Sequence, residues 1–203
     1  MNVVSIGQAA ASLLDGGVGI IPTDTVYGIV AQATDEAATD RLYALKHREH
    51  KPGTIIAADI QQLIDLGVDE QYLHRAERWW PGPLSIILPV GERFAYLHQG
   101  IGSLPIRLVP AGPVHTILEQ TGPLITSSAN MPGESPANTV DEAYGSFKDS
   151  VDFYVDDGDR SGRPPSTIVR MADDGFEIIR QGAVIIPLSA ISKSDSTIQA
   201  TNK

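Results

Sequence analysis

Short apolar runs alternate with helix-length amphipathic stretches along this chain, and that alternation limits its fold more than any other feature. Val18 to Ile21 lies between Gly16-Gly17 and Pro22, the mark of a short buried strand. Before it, Ser5 and Gln8 have capping-box spacing and the two glycines end the pattern, so a helix is predicted over 5–15. Further strands are predicted at Tyr27–Ala31, Thr54–Ala58, Leu84–Val90, Leu104–Val109 and Leu124–Thr126. Helices are predicted over 35–46, 60–66, 70–80, 113–120 and 139–147, with Pro81-Gly82-Pro83 stopping the one at 70–80. Three late strands are expected at 152–156, 166–171 and 176–180. Interleaved strands and helices give the α/β class, and late antiparallel pairs make the sheet mixed. No repeat, heptad pattern or linker breaks the chain, so one domain is expected over 1–186. Residues 187–203 are polar and aperiodic and read as a mobile tail.

Of the 203 residues, 42% are hydrophobic, enough for a substantial core. Lys and Arg number 15 against 25 Asp and Glu, a net charge of −10. A protein that grips a nucleic-acid backbone by charge carries the opposite sign, so direct RNA or DNA binding is expected to be weak or absent. There is no cysteine, which excludes disulfides, thiolate metal sites and a cysteine nucleophile. No apolar stretch is long enough to span a bilayer and the start lacks a basic leader, so no membrane partner and a cytoplasmic location are expected. Walker A, Rossmann, HExxH and GxSxG patterns are all missing.

Five segments carry chemistry-bearing residues. Pro22-Thr23-Asp24-Thr25-Val26-Tyr27-Gly28 gathers two hydroxyls, a carboxylate and a phenol on a turn after a buried strand; a self-capping polar turn explains it equally well. Lys46 and Arg48 share a face if the helix ends near Leu45, and two cations held together suit a polyphosphate. Taken alone, they read better as ordinary cations at a helix C-terminus. His47 and His50 have no further metal ligands nearby in sequence and read as solvated. Trp79-Trp80-Pro81-Gly82-Pro83-Leu84 reads as packing and a stiff turn. Leu124-Ile125-Thr126-Ser127-Ser128-Ala129-Asn130 runs an apolar strand into hydroxyls and an amide that suit phosphate oxygens. Arg107 sits in an apolar strand; if buried it needs a partner, a ligand carboxylate or phosphate, and otherwise it reads as an edge-strand arginine in solvent or as one half of an internal salt bridge. Pro165-Ser166-Thr167 and Ile179-Arg180-Gln181-Gly182 complete the set.

In this order the segments resemble the YrdC/TsaC family, the threonylcarbamoyl-AMP synthases, over about residues 5–184. The pieces are PTDTVYG, the KxR of Lys46 and Arg48, WPGPL (Trp80–Leu84), the strand with Arg107, SAN (Ser128–Asn130), PST (Pro165–Thr167) and IRQG (Ile179–Gly182). The length is that of the short single-domain form. Departures fall after Arg48, at Ala57 where some relatives have histidine, at Pro132-Gly133 and at Pro110 to Pro113.

The resemblance implies a twisted mixed sheet, flanked by helices, with a concave positively charged cavity. It implies the reaction of L-threonine, bicarbonate and ATP to threonylcarbamoyl-AMP and pyrophosphate, the first step of N6-threonylcarbamoyladenosine formation at tRNA position 37. Lys46, Arg48, Ser128 and Asn130 correspond to a catalytic tetrad on the phosphates, joined by Ser103 and Arg180 in ATP binding. Thr23, Arg107, Thr126 and Ser166 correspond to the threonine set. Mg²⁺ would ride on the phosphates with no protein ligand, and a transferase complex acting on tRNA is the implied partner. The alternatives are an RNA-binding module on the same fold and a divergent paralogue that carbamoylates another acceptor.

Overall fold

In the computed structural model, which describes residues 1–47 and 50–192, local capping fixes most helix starts. Ser5 accepts from the Gln8 backbone and donates its own N–H to the Gln8 side chain at the head of α1 (Ile6–Leu14). Asp35, Asp59, Asp69 and Thr139 cap α2 (Glu36–Leu45), α3 (Ile60–Leu66), α4 (Glu70–Ala76) and α7 (Val140–Phe147) with their side chains. Each such cap is worth about 1 kcal/mol. Pro113 opens α6 (Pro113–Thr121), where its missing N–H costs nothing. The short α5 (Ala95–His98), with a 3-10 turn before it, was not predicted; four residues are too few for a periodic signal.

The strands are β1 (Gly19–Pro22), β2 (Tyr27–Gln32), β3 (Thr54–Ala57), β4 (Leu84–Pro89), β5 (Ser103–Leu108), β6 (Leu124–Ser128), β7 (Phe153–Tyr154), β8 (Thr167–Met171) and β9 (Phe176–Arg180). They form one sheet in the order β7-β1-β2-β6-β3-β5-β4-β8-β9. The β1–β7, β3–β5 and β4–β8 pairs are parallel and the rest antiparallel, so the expected mixed sheet is found. The antiparallel pairing begins with the first two strands rather than with the late ones.

Strand alternation divides the interior. Ile20, Ile29, Ile55, Ile86, Ile106 and Ile125 face one side and join the larger core, which includes Leu42, Leu63, Leu73, Leu97 and Phe147 from the helices there. The opposite face is covered only in part. Leu13 of α1 and Val114, Ile117 and Leu118 of α6 pack on Ile21, Val30, Ile56, Leu124 and Val109. Beyond these two helices that face borders a cavity.

Pro187 was expected to start the tail. Instead residues 188–190 form a 3-10 turn, the Ser192 N–H donates to the Phe176 carbonyl at 2.9 Å, and Ile191 bridges to Phe176. Residues 193–203, the rest of the expected tail, lie outside the described residues, as do Arg48 and Glu49. No helix of the described residues is long and apolar enough to cross a membrane.

Candidate active site

The open part of the second face forms a cavity of about 390 Å³. Its lining includes Thr23, Arg107, Thr126 and Ser166, all four members of the expected amino-acid set. Ser128 and Arg180 of the expected nucleotide set also line it. Among the described residues, two arginines and no acidic residue line it. A larger open groove of about 910 Å³ lies by Trp79 and Phe176, at the β9 edge of the sheet. None of the residues singled out for ligand chemistry lines that groove, so the smaller cavity is the site candidate.

The PTDTVYG segment is the hairpin turn between β1 and β2. The Thr23 N–H donates to the Val26 carbonyl at 3.1 Å, and its hydroxyl donates to the same carbonyl at 2.6 Å. The polar-turn reading is therefore correct as local structure, while Thr23 and Thr25 still line the cavity. Buried Arg160, which the sequence reading passed over, donates to the Thr23 carbonyl at 2.7 Å and pairs with Asp157. Tyr27 borders the cavity, and its hydroxyl is bonded within the protein. Its hydroxyl donates to the Gly158 carbonyl at 3.0 Å and accepts from the Asp157 N–H at 3.0 Å. Burial pushes its phenol above the ordinary value, against the pull of the Asp157 N–H. Gly28 leaves space for the cavity floor: a Cβ there would stand 2.7 Å from Thr126 Oγ1.

Arg107 finds its partner inside the protein. Its Nη2 donates to Asp24 Oδ1 at 2.7 Å, with both side chains buried. Its Nη1 donates to Ser85 Oγ at 3.1 Å, and its Nε has no partner. Arg107 is buried and so is not an edge-strand arginine in solvent; the internal ion pair is present, and the guanidinium also borders the cavity. Ser166 sits between Ser85 and Arg180. Ser85 donates to its hydroxyl at 3.1 Å, and Arg180 Nη2 donates to its carbonyl at 2.7 Å.

Lys46 follows directly on α2 and is buried. Its Nζ donates to the Ser128 carbonyl at 2.8 Å, to the Asn130 carbonyl, and to Asn130 Oδ1 at 3.4 Å. Three members of the expected tetrad thus meet, with the ammonium turned to loop carbonyls; the fourth, Arg48, is outside the described residues. Asn130 Nδ2 donates to the Met131 and Glu134 carbonyls at 2.9 and 2.8 Å and closes its own loop. Ser103 begins β5 on the face shared by Pro105 and Arg107, yet it is not among the residues that line the cavity. His47 and His50 are exposed, as expected. Trp80 packs in the core and donates to the Leu84 carbonyl at 2.8 Å. Trp79 meets Phe176 edge-on at 5.1 Å.

A sequence model of the Sua5, YciO and YrdC proteins, carrying the description "Telomere recombination", matches residues 11–182. The chain belongs to the Sua5/YciO/YrdC family. Among its relatives, the threonylcarbamoyl-AMP synthase of Idiomarina loihiensis is 32% identical over 80% of this chain and 91% of that protein. A putative threonylcarbamoyl-AMP synthase of Methanocaldococcus jannaschii is 33% identical over 89% of this chain and 86% of that one. The crystal structure of P. abyssi Sua5 in complex with L-threonine superimposes with a TM-score of 0.77 at 27% identity. That match covers 87% of this chain and 54% of the other, so this chain spans about half the length of the Sua5 chain.

Proposed function

We propose that this protein is a threonylcarbamoyl-AMP synthase: it converts L-threonine, bicarbonate and ATP to threonylcarbamoyl-AMP, pyrophosphate and water. The observation that carries the reading is the convergence of Thr23, Arg107, Thr126 and Ser166 with Ser128 and Arg180 on one cavity. Curated relatives of similar length bear the same activity in their names, and a Sua5 structure holds L-threonine.

The Arg107 guanidinium is the partner for the substrate carboxylate, while Thr23, Thr126 and Ser166 supply hydroxyls around the amino acid. The amine first takes up CO₂ from bicarbonate as a carbamate. A carbamate oxygen then attacks the α-phosphorus and pyrophosphate leaves. No enzyme-bound intermediate is needed, so positioning and charge neutralisation carry the rate. Ser128, Asn130, Arg48 and Lys46 hold the polyphosphate, Lys46 turning from its loop carbonyls or acting through them. Arg180 and Ser103 serve the adenylate. Mg²⁺ brought in with the nucleotide would supply further charge neutralisation; the described residues gather no cluster of three or more His, Cys, Asp or Glu for a protein-held ion. Arg180 on the lining supports a positively charged cavity, while the charge of Arg107 is matched by Asp24. The product is an activated acyl donor, and a transferase complex that modifies tRNA in the cytoplasm is the proposed consumer.

The test is pyrophosphate release from ATP with Mg²⁺ and bicarbonate. Release that requires both L-threonine and bicarbonate is expected. Salt-sensitive tRNA binding without turnover would replace the reading with an RNA-binding one. Turnover that ignores threonine but responds to another amine would identify a paralogue with a different acceptor.

A further inference from the structure

Ser85 is fully buried within β4, on the face that forms the cavity floor, and the proposed chemistry leaves it without a role. Its hydroxyl joins two residues of the amino-acid set, one of which also meets the arginine assigned to the adenylate. It accepts from Arg107 Nη1 and donates to Ser166 Oγ, both at 3.1 Å. Arg180 Nη2 donates to the same Ser166 hydroxyl at 3.2 Å. At the other end Asp24 holds Arg107 Nη2 at 2.7 Å. An unbroken polar chain therefore runs Asp24–Arg107–Ser85–Ser166–Arg180, from the amino-acid residues to the adenylate arginine.

A guanidinium only donates, so Ser85 accepts from Arg107, and its own proton is directed to Ser166 Oγ. Ser166 then receives both Ser85 and Arg180 and keeps its own proton for a ligand. Linked hydrogen bonds of this kind polarise one another in a low-dielectric interior. A carboxylate that engages Arg107 from the cavity changes what Ser85 receives, and hence what Ser166 and Arg180 present to a nucleotide.

We propose that Ser85 is a positioning residue that couples the amino-acid and nucleotide halves of the site, so that each ligand tightens the other. The inference rests on the functional reading above. Coupling of this type is reciprocal and has a magnitude of about fivefold or more.

The experiment is calorimetric titration of L-threonine, with and without a non-hydrolysable ATP analogue and Mg²⁺, on the native chain and on Ser85→Ala. The native chain is expected to bind threonine about fivefold or more tightly with the analogue present. In Ser85→Ala that ratio is expected to collapse toward one, with the single-ligand affinities changed far less. A role confined to packing would shift single-ligand affinity or melting temperature and leave the ratio intact. Ser85→Cys, close in size but a weaker donor and acceptor, makes the same comparison should Ser85→Ala fail to fold. A ratio that survives in the variants, or a ratio of one in the native chain, overturns the coupling alone. Failure of the native chain to bind threonine at all overturns the functional reading and the coupling with it.

Discussion

Two halves of one sheet face differ by a single step of two residues. Under α1 and α6 stand Ile21, Val30, Ile56, Val109 and Leu124. Two residues further along the same strands, or just past the end of β1, stand Thr23, Gly28, Thr54, Arg107 and Thr126, all bordering the cavity. A two-residue step moves about 6.7 Å along a strand, so side chains of near-identical direction serve a dry core and a polar site side by side. The strands of the site are therefore held by the helices that cover their other ends. Flexible loops could not place four side chains and a glycine backbone so closely. Stability and ligand binding should then separate according to which half is altered.

The largest expected effect lies in the covered half. Ile117→Ala, fully buried between α6 and the sheet, should cost about 2–5 kcal/mol of unfolding free energy in urea titration. The KM for threonine of the folded variant should stay unchanged. Next comes the phosphate region of the open half. Lys46→Ala removes the ammonium that donates to the Ser128 and Asn130 carbonyls. Charged hydrogen bonds are worth roughly 1.5–3 kcal/mol, so kcat/KM for pyrophosphate release should fall by about tenfold to a hundredfold.

Gly28→Ala sharpens the contrast within the amino-acid pocket. Its Cβ would meet Thr126 Oγ1 at 2.7 Å and Thr23 Cγ2 at 3.0 Å. Overpacking of about 1–3 kcal/mol should appear mainly as a raised KM for threonine, with the KM for ATP little changed. The smallest effect is expected outside both halves, at the Asp152–Arg41 pair. Partial burial opposes ionisation of Asp152, but the Arg41 guanidinium and the Val18 N–H outweigh it and hold the carboxyl below its ordinary value. A depressed carboxyl stabilises the fold above its unfolded pKa, and the gain is lost as pH falls below about 4. Both side chains are well exposed, so solvent screening leaves roughly 0.2–1 kcal/mol. Asp152→Asn should show that deficit in thermal melts at pH 7 and none once the native carboxyl is protonated.

Element order was legible because most of these helices have a capping residue in the sequence and most strands are apolar runs closed by glycine or proline. Ser5 with Gln8, and the Val18–Ile21 run, are cases where local chemistry and final structure agree. Strand order was not legible. The sheet places β6 between β2 and β3, and no local pattern records so distant a pairing. At the site, single letters exposed Arg107 but not its partner. Asp24 lies 83 positions away in sequence, and only the folded sheet brings them together. Ser85 carried a signal that was passed over: one hydroxyl inside the apolar run Leu84-Ser85-Ile86-Ile87-Leu88. Residues 187–192 misled for the reverse reason, since their attachment to β9 is mainly through backbone groups that composition does not show.

The most direct test is a crystal structure of the full chain with L-threonine and a non-hydrolysable ATP analogue. The account predicts threonine in the cavity of about 390 Å³, its carboxylate on Arg107 and the phosphates beside Ser128 and Asn130. Either ligand seated instead in the groove beside Trp79 and Phe176, with the cavity between β2 and β8 left empty, would contradict it.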